Sequence, residues 1–363
     1  MAYKNFKSVE RCVIGKGAFN QLDDILESKR QDKESYVVFL VDKVFESGLT
    51  NIKNRIPKKN QDILIWVNVN DHEPTTKQVD DIRDYILKIK MNELPSAVVG
   101  IGGGSVMDIA KASSLMLTNE GSSQQYQGLN LIKNPGVWHC GVPTIAGTGA
   151  EVSMTAVLTG PTKKLGIKCD WTIFDQIILD PELVADVPKE QWFFTGMDSY
   201  IHCVESLTGI FNNEFSRAFG EKALDLCREV YLNDSLSKIE RDEKLMIASY
   251  MGGLSLTYSE VGICHALSYG LSFVLGYRHG IANCIAFNVL EDFYGKYVLE
   301  FKEMLKKHHI HLPQNLSQYW DENEIEKMID TTLALHHMWH HALGPNWQSK
   351  ITREEVKSLF KRM

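Results

Sequence analysis

The sequence predicts an α/β domain over residues 1–187 followed by an all-helical domain over residues 188–363. Three observations carry this. Short β-branched runs alternate with amphipathic helical stretches through the first half. Glycines stand where a strand hands over to a helix. Past Pro188 the strand-like runs give way to helical periodicity. Alternation of this kind argues a parallel sheet with helices on both faces.

The elements follow in order. SYVVFLVD, residues 35–42, reads as a strand ending on Asp42, and ILIWVNV, 63–69, as a second, with a helical stretch carrying Lys and Arg between them. In TTKQVDDIRDYILKIKM, 75–91, Val79, Ile82, Ile86 and Ile89 recur at helical spacing. SAVVGIGGGS, 96–105, is a buried-type strand running into glycines, and VMDIAKASSLML, 106–117, is the helix after it. The second half predicts helices over 189–207, 214–232, 240–257, 262–275, 282–307, 323–341 and 353–362.

With 44% apolar and 23% charged residues, the composition is that of a soluble globular chain, and 363 residues suit two domains. A net charge of −7 with no basic stripe excludes nucleic acid as an expected partner. No apolar run is long enough for a bilayer, so no membrane partner is expected. MAYKNFKSVERC at the start lacks an apolar h-region, so no secretory leader is read there. Seven scattered cysteines without a C-x-x-C pair fit reduced thiols, and a cytoplasmic location is expected.

Gly102, Gly103 and Gly104 sit between a strand and a helix N-terminus. Bare N–H groups and the helix dipole suit a phosphate there. The order GIGGGS is not the usual dinucleotide fingerprint, and a tight turn needing glycine is the competing reading. Asp108, one turn into the helix, slightly disfavours an anion. A second polar glycine loop, PTIAGTGAEVS at 143–153, suits a ligand with more than one phosphate or ribose group. Asp42, at a strand end, could take the two hydroxyls of an adenine ribose and would repel a 2′-phosphate, favouring NAD over NADP. It could equally cap the next helix.

TGMDSYIHCVES, 195–206, puts Asp198 and His202 one turn apart on one helix face. His265 and His279 stand in GICHALSYGLSFVLGYRHGIANC, where Gly276 and Gly280 suggest a break that folds His279 back and allows close approach of another helix. Three imidazoles and a carboxylate suit Fe(II) or Zn(II) with a position left for substrate. Buried or capping histidines are the competing reading. His336, His337, His340 and His341 form HHMWHH, read as a partly exposed helix face; His308, His309 and His311 read as a solvated end, and His72 and His139 as loop residues without a partner.

The chain resembles the iron-containing (group III) alcohol dehydrogenases over nearly its whole length. GKGAF at 15–19, GGGSVMDIAK at 102–111, PTIAGTGAEVS at 143–153, LDPEL at 179–183, GMDSYIH at 196–202 and the His265 to HGIAN stretch carry the resemblance in the right order. It implies the dehydroquinate synthase-like fold, with a dinucleotide-binding domain, a helical domain and a cleft between them. By the same resemblance, Asp198, His202, His265 and His279 hold one divalent metal. Gly102, Gly103, Gly104 and Ser105 serve the pyrophosphate, Asp108, Thr144, Thr148 and Lys164 line the nicotinamide nucleotide, and Asp42 favours NAD, with NADP possible. A homodimer is the implied assembly. The metal would polarise a substrate hydroxyl and hydride would pass to the nicotinamide.

Two positions depart from the family. Tyr269 stands where a second, proton-relaying His is common, and a phenol holds its proton more tightly. Arg278 stands where Pro commonly precedes the last ligand, and a guanidinium there could bind a carboxylate or sugar hydroxyls. With FFTGMDSYIHCVESLTGIFNNEFSRAFGEKAL at 193–224, these departures resemble the branch that oxidises the C8 hydroxyl of 3-deoxy-D-manno-octulosonate ahead of lipopolysaccharide assembly. A generic iron or zinc alcohol or polyol dehydrogenase, a dehydroquinate synthase-like lyase and a non-catalytic nucleotide-binding protein are the rival readings.

Overall fold

Every strand of the larger sheet runs parallel to its neighbours. The structure, a computed structural model, describes residues 6–69 and 73–363, apart from the Thr50 side chain; His72 lies outside the described residues. The chain divides into two compact units, Met1–Ala146 with Ala150–Val187, and Gly147–Gly149 with Pro188–Met363.

In the first unit the strands are β1 (Arg11–Ile14), β2 (Val37–Asp42), β3 (Ile63–Val67), β4 (Ala97–Gly102), β5 (Gly128–Leu129), β6 (His139–Pro143), β7 (Thr155–Thr159), β8 (Lys164–Lys168) and β9 (Gln176–Leu179). Its helices are α1 (Leu22–Glu27), α2 (Ile52–Arg55), α3 (Thr76–Ile89) and α4 (Gly104–Met116). The main sheet has the order β1-β9-β6-β4-β2-β3, and β5-β8-β7 form a small second sheet. Val37 to Val41, Val98, Val99 and Ile101 are fully buried, as expected for central parallel strands covered on both faces. Each such side chain contributes roughly 1.5–3 kcal/mol. The stretch between β2 and β3 is mostly 3-10 turns and the four-residue α2, and not a full helix.

Two of the family-like segments prove to be structural partners. Asp180 of LDPEL is fully buried and accepts hydrogen bonds from the Gly17 and Phe19 amides of GKGAF at 3.1 and 3.0 Å. That contact closes β1 against β9. His139, expected in a loop, opens β6, and its Nδ1 lies 3.0 Å from Asp175 Oδ2.

The second unit is helical: α5 (Lys189–Thr208), α6 (Glu214–Leu232), α7 (Lys238–Tyr258), α8 (Ile263–Leu275), α9 (His279–Asn288), α10 (Glu291–Tyr294), α11 (Lys296–Lys307), α12 (Glu322–Leu333), α13 (His336–Leu343) and α14 (Arg353–Lys361). Two expected helices are broken. The 282–307 stretch turns at Gly295, whose φ is +49°, and the 323–341 stretch breaks before His336. Residues 195–206 of α5 are all buried, so this helix runs through the core and does not lie on the surface. Close packing demands small residues along it. A Cβ on Gly196 would sit 1.9 Å from the Tyr231 hydroxyl, and a Cβ on Gly280 of α9 2.9 Å from the Phe194 carbonyl.

Candidate metal centre and nucleotide cradle

In the first unit, Asp42 ends β2 and Gly102 ends β4, and these two strands are neighbours. The chain moves outward from β2 to β3 and then returns past β2 to β4. The order therefore reverses between β2 and β4, which is where open parallel sheets take their ligands. Gly103 is the N-cap of α4 and offers no side-chain cap, which leaves the first amides of α4 for an anion. A Cβ on Gly103 would lie 2.8 Å from Ile145, and one on Gly102 2.7 Å from Val106. Ser105 follows on the first turn. Thr144 is buried and donates its amide to the Gly102 carbonyl at 2.9 Å. Asp42 does cap the following turn, accepting from the Val44 amide at 3.1 Å.

Asp108, Lys111, Lys164 and Glu73 share one neighbourhood. Burial pushes Asp108 up to about 7 against the opposing pull of Lys111, and pushes Lys111 down to about 8. Lys111 Nζ donates to the Ser153 and Thr155 carbonyls at 2.8 and 3.1 Å. Lys164 Nζ pairs with Glu73 at 3.2 Å. Thr148 belongs instead to the second unit. Its neighbours Gly147 and Gly149 have φ of +144° and +63°. A Cβ on Gly147 would lie 1.8 Å from the Thr195 carbonyl of α5, and one on Gly149 2.5 Å from Gly253 of α7.

The second unit assembles the four-residue set. Asp198 and His202 come from α5, His265 from the first turn of α8 and His279 from the first residue of α9. Gly276, with φ +72°, ends α8 and lets the chain fold back, as the glycine pattern predicts. One ligating atom from each residue lies within 4.8 Å of every other. Asp198 Oδ1 is 3.4 Å from His202 Nε2 and 3.3 Å from His265 Nε2, and Oδ2 is 3.3 Å from His279 Nε2. The His202 and His265 rings stack at 4.7 Å. Asn283 Nδ2 lies 2.6 Å from Asp198 Oδ1 and 3.3 and 3.2 Å from the Nε2 atoms of His265 and His279.

This set fits a divalent ion. Atoms bound to one ion at ~2.0–2.2 Å lie within a little over ~4 Å of one another, so the cage is a slightly open form of a coordinated one. Among the described residues Asp198 Oδ2 is buried with no hydrogen bond, its nearest imidazole being His279 at 3.3 Å, an expensive state for a carboxylate oxygen that a cation would relieve. The side chains of Asp198, His202 and His265 are at most 5% exposed, whereas His279 is 26% exposed. The cage therefore opens on the His279 side. Exposed Arg278 precedes His279 as the N-cap of α9. Tyr269 is nearly buried, its ring 6.1 Å from that of His279.

The electrostatics are mutual. Burial works against charge on Asp198, but the imidazoles of His202 and His279 outweigh it and hold the carboxyl well below its usual range. Burial pushes His202 down to about 4 against the pull of Asp198. His265 moves up to about 9, because Glu205 and Asp198 outweigh its burial. Cys203, Cys264 and Cys284, next in sequence to His202, His265 and Asn283, have thiols that burial pushes up.

Sequence reasoning missed two residues behind the cage. Glu205 is buried beside His265, one further turn along the Asp198–His202 stripe. His341, the last of HHMWHH, is fully buried and not on an exposed face; its Nε2 lies 2.9 Å from the Glu205 carbonyl. His308, the C-cap of α11, is half-buried with its Nε2 2.9 Å from the Tyr231 carbonyl, while His309 and His311 are exposed as expected. The i, i+7 spacing of Asp198 and Glu205 was the one available signal.

A parallel-sheet nucleotide unit joined to a helical unit with one Asp and three His defines a metal-dependent, nucleotide-linked class. Residues 10–181 match the family described as iron-containing alcohol dehydrogenase, and residues 193–335 match the C-terminal description of the same family. The chain belongs to the iron-containing alcohol dehydrogenases, and as such is an NAD-linked oxidoreductase. It is 30% identical over 298 residues to the NAD-dependent methanol dehydrogenase of Bacillus methanolicus, covering 79% of this chain and 76% of that protein. It is 34% identical over 200 residues to the sulfoacetaldehyde reductase of Bilophila wadsworthia, covering 53% of this chain and spanning about half, 51%, of that protein. Its fold matches the crystal structure of sulfoacetaldehyde reductase from Bifidobacterium kashiwanohense in complex with NAD+, with a TM-score of 0.79 over 99% of this chain and 98% of that one at 20% identity. No helix among the described residues is long and apolar enough to cross a membrane.

Proposed function

We propose that the chain oxidises a primary alcohol on an acidic sugar, the C8 hydroxyl of 3-deoxy-D-manno-octulosonate ahead of lipopolysaccharide assembly, with NAD as acceptor. The observation that carries the chemistry is the convergence of Asp198, His202, His265 and His279 within 4.8 Å, open on the His279 side. A divalent ion, iron or zinc, would supply Lewis-acid polarisation of the substrate hydroxyl.

The chain's own residues do the rest. The Gly102–Ser105 turn and the first amides of α4 hold the pyrophosphate, and Asp42 takes the ribose hydroxyls. Asp108, Thr144, Thr148 and Lys164 serve the nicotinamide nucleotide. Arg278, exposed beside His279, orients the substrate carboxylate. The hydroxyl proton leaves by way of the Tyr269 phenol, which takes it at oxygen as it gives its own proton to water, while the carbinol carbon gives its hydride to the nicotinamide, leaving an aldehyde and NADH. Similarity to a sulfoacetaldehyde reductase supports an anionic substrate, since a sulfonate is a permanent anion. A generic alcohol or polyol is the broader reading that the family itself supports. A cytoplasmic homodimer belongs to the same proposal.

The test joins metal content to turnover. Anaerobically purified chain should carry about one divalent ion, His202→Ala should lose it, and NADH should form faster on 3-deoxy-D-manno-octulosonate than on simple alcohols. Turnover on simple alcohols alone would leave the class and discard the sugar. A wild-type chain without metal would sink the cage.

A further inference from the structure

We propose that Glu205 is a positioning residue that fixes which nitrogen of His265 faces the cage and thereby sets its affinity for metal. This rests on the reading that the four residues hold a divalent ion. Glu205 is 1% exposed and lies on α5, seven residues after Asp198. Its Oε2 accepts from His265 Nδ1 at 2.5 Å. With Nδ1 committed to that bond, Nε2 is the nitrogen left to face Asp198, and it lies 3.3 Å from Oδ1.

The carboxylate is itself held from several sides. Its Oε1 accepts from the Cys264 amide at 2.7 Å and from the Tyr294 hydroxyl at 2.8 Å. The Tyr294 oxygen accepts in turn from the Ile263 amide at 3.2 Å. Glu205 and Tyr294 thus cap the first turn of α8, where the helix dipole favours a negative charge. Gly262, the N-cap, makes room: a Cβ there would lie 2.9 Å from the Tyr294 hydroxyl and 3.0 Å from Glu205 Oε1. The Glu205 carbonyl is tied down by the Gly209 amide at 3.1 Å and by His341 Nε2 at 2.9 Å. A Cβ on Gly209 would collide with the His341 ring. A metal-binding imidazole backed by a carboxylate binds more tightly and in one orientation, and losing that partner typically costs 10–100-fold in metal affinity.

The test is Co(II) and Zn(II) affinity of the full chain by chelator competition, for wild type, Glu205→Gln, His265→Ala and the double variant. Gln keeps the shape but turns one of two acceptor ends into a donor. Glu205→Gln is expected to bind metal roughly 10–100-fold more weakly. The double variant should bind no more weakly than His265→Ala, because Glu205 acts only through that ring. Binding of Glu205→Gln within twofold of wild type overturns the proposal, as does a loss that adds in full to that of His265→Ala. A wild-type chain that binds neither ion instead overturns the metal reading itself. Should Glu205→Gln not fold, nitrogen–proton NMR of zinc-loaded, histidine-labelled wild type decides: a His265 proton on Nδ1 supports the proposal and one on Nε2 overturns it.

Discussion

His279 is the most exposed of the four cage residues, and exposed Arg278 directly precedes it. If the guanidinium receives a carboxylate, Arg278→Ala should raise KM for an acidic sugar roughly 10–100-fold, the loss of a charge-assisted pair. KM for a simple alcohol should move less than about twofold in the same variant. Equal effects on both substrates would return Arg278 to a solvent-facing role. At this scale the convergence is readable in the sequence where candidate ligands share a helix turn, as Asp198 and His202 do. His265 and His279 were legible only through ordered motifs, because tertiary folding brings them to Asp198. Glu205 escaped notice since a mid-helix carboxylate followed by Ser206 reads like a solvated face. Only the burial of α5 on all sides shows otherwise.

Among elements, α5 is the organising one, because it carries two of the four cage residues and Glu205. Its packing depends on Gly196, where a methyl would run into Tyr231, itself fully buried, and into Leu245 at 2.9 Å. Gly196→Ala should therefore destabilise the fold by about 2–3 kcal/mol through overpacking. Urea unfolding would show this as a lower midpoint with unchanged slope. An unchanged midpoint would mean that Tyr231 and Leu245 yield without cost. The long helices α3, α4, α6 and α7 were legible from periodicity. The short strands β1, β6 and β9 were not: each is four or five residues long and gains its identity from sheet partners. Periodicity continued across Gly295 although the backbone did not, since the residues on either side keep facing the core.

At the scale of the whole molecule, the proposed nucleotide residues other than Thr148 lie in one compact unit and the proposed metal cage in the other, and each ligand should mainly protect its own unit. Hydrogen exchange followed by mass spectrometry should show zinc or iron slowing exchange in α5, α8 and α9, and NAD slowing it at the ends of β2 and β4 and the start of α4. At a thousandfold excess over its dissociation constant, either ligand adds up to about 4 kcal/mol to the unit that binds it. Metal protection confined to the first unit would contradict the assignment of the cage. The buried cysteines add a last consequence. Cys203 and Cys264 stand next in sequence to His202 and His265, and Cys284 next to Asn283, yet burial pushes all three thiols up and none of them belongs to the four-residue set. Soft ions such as Cu(I) or Cd(II) seek sulfur, and the four converging atoms are nitrogen and oxygen. If the set holds an ion, it would discriminate by what it withholds: nitrogen and oxygen converge there and sulfur does not, which favours a borderline ion over a thiophilic one.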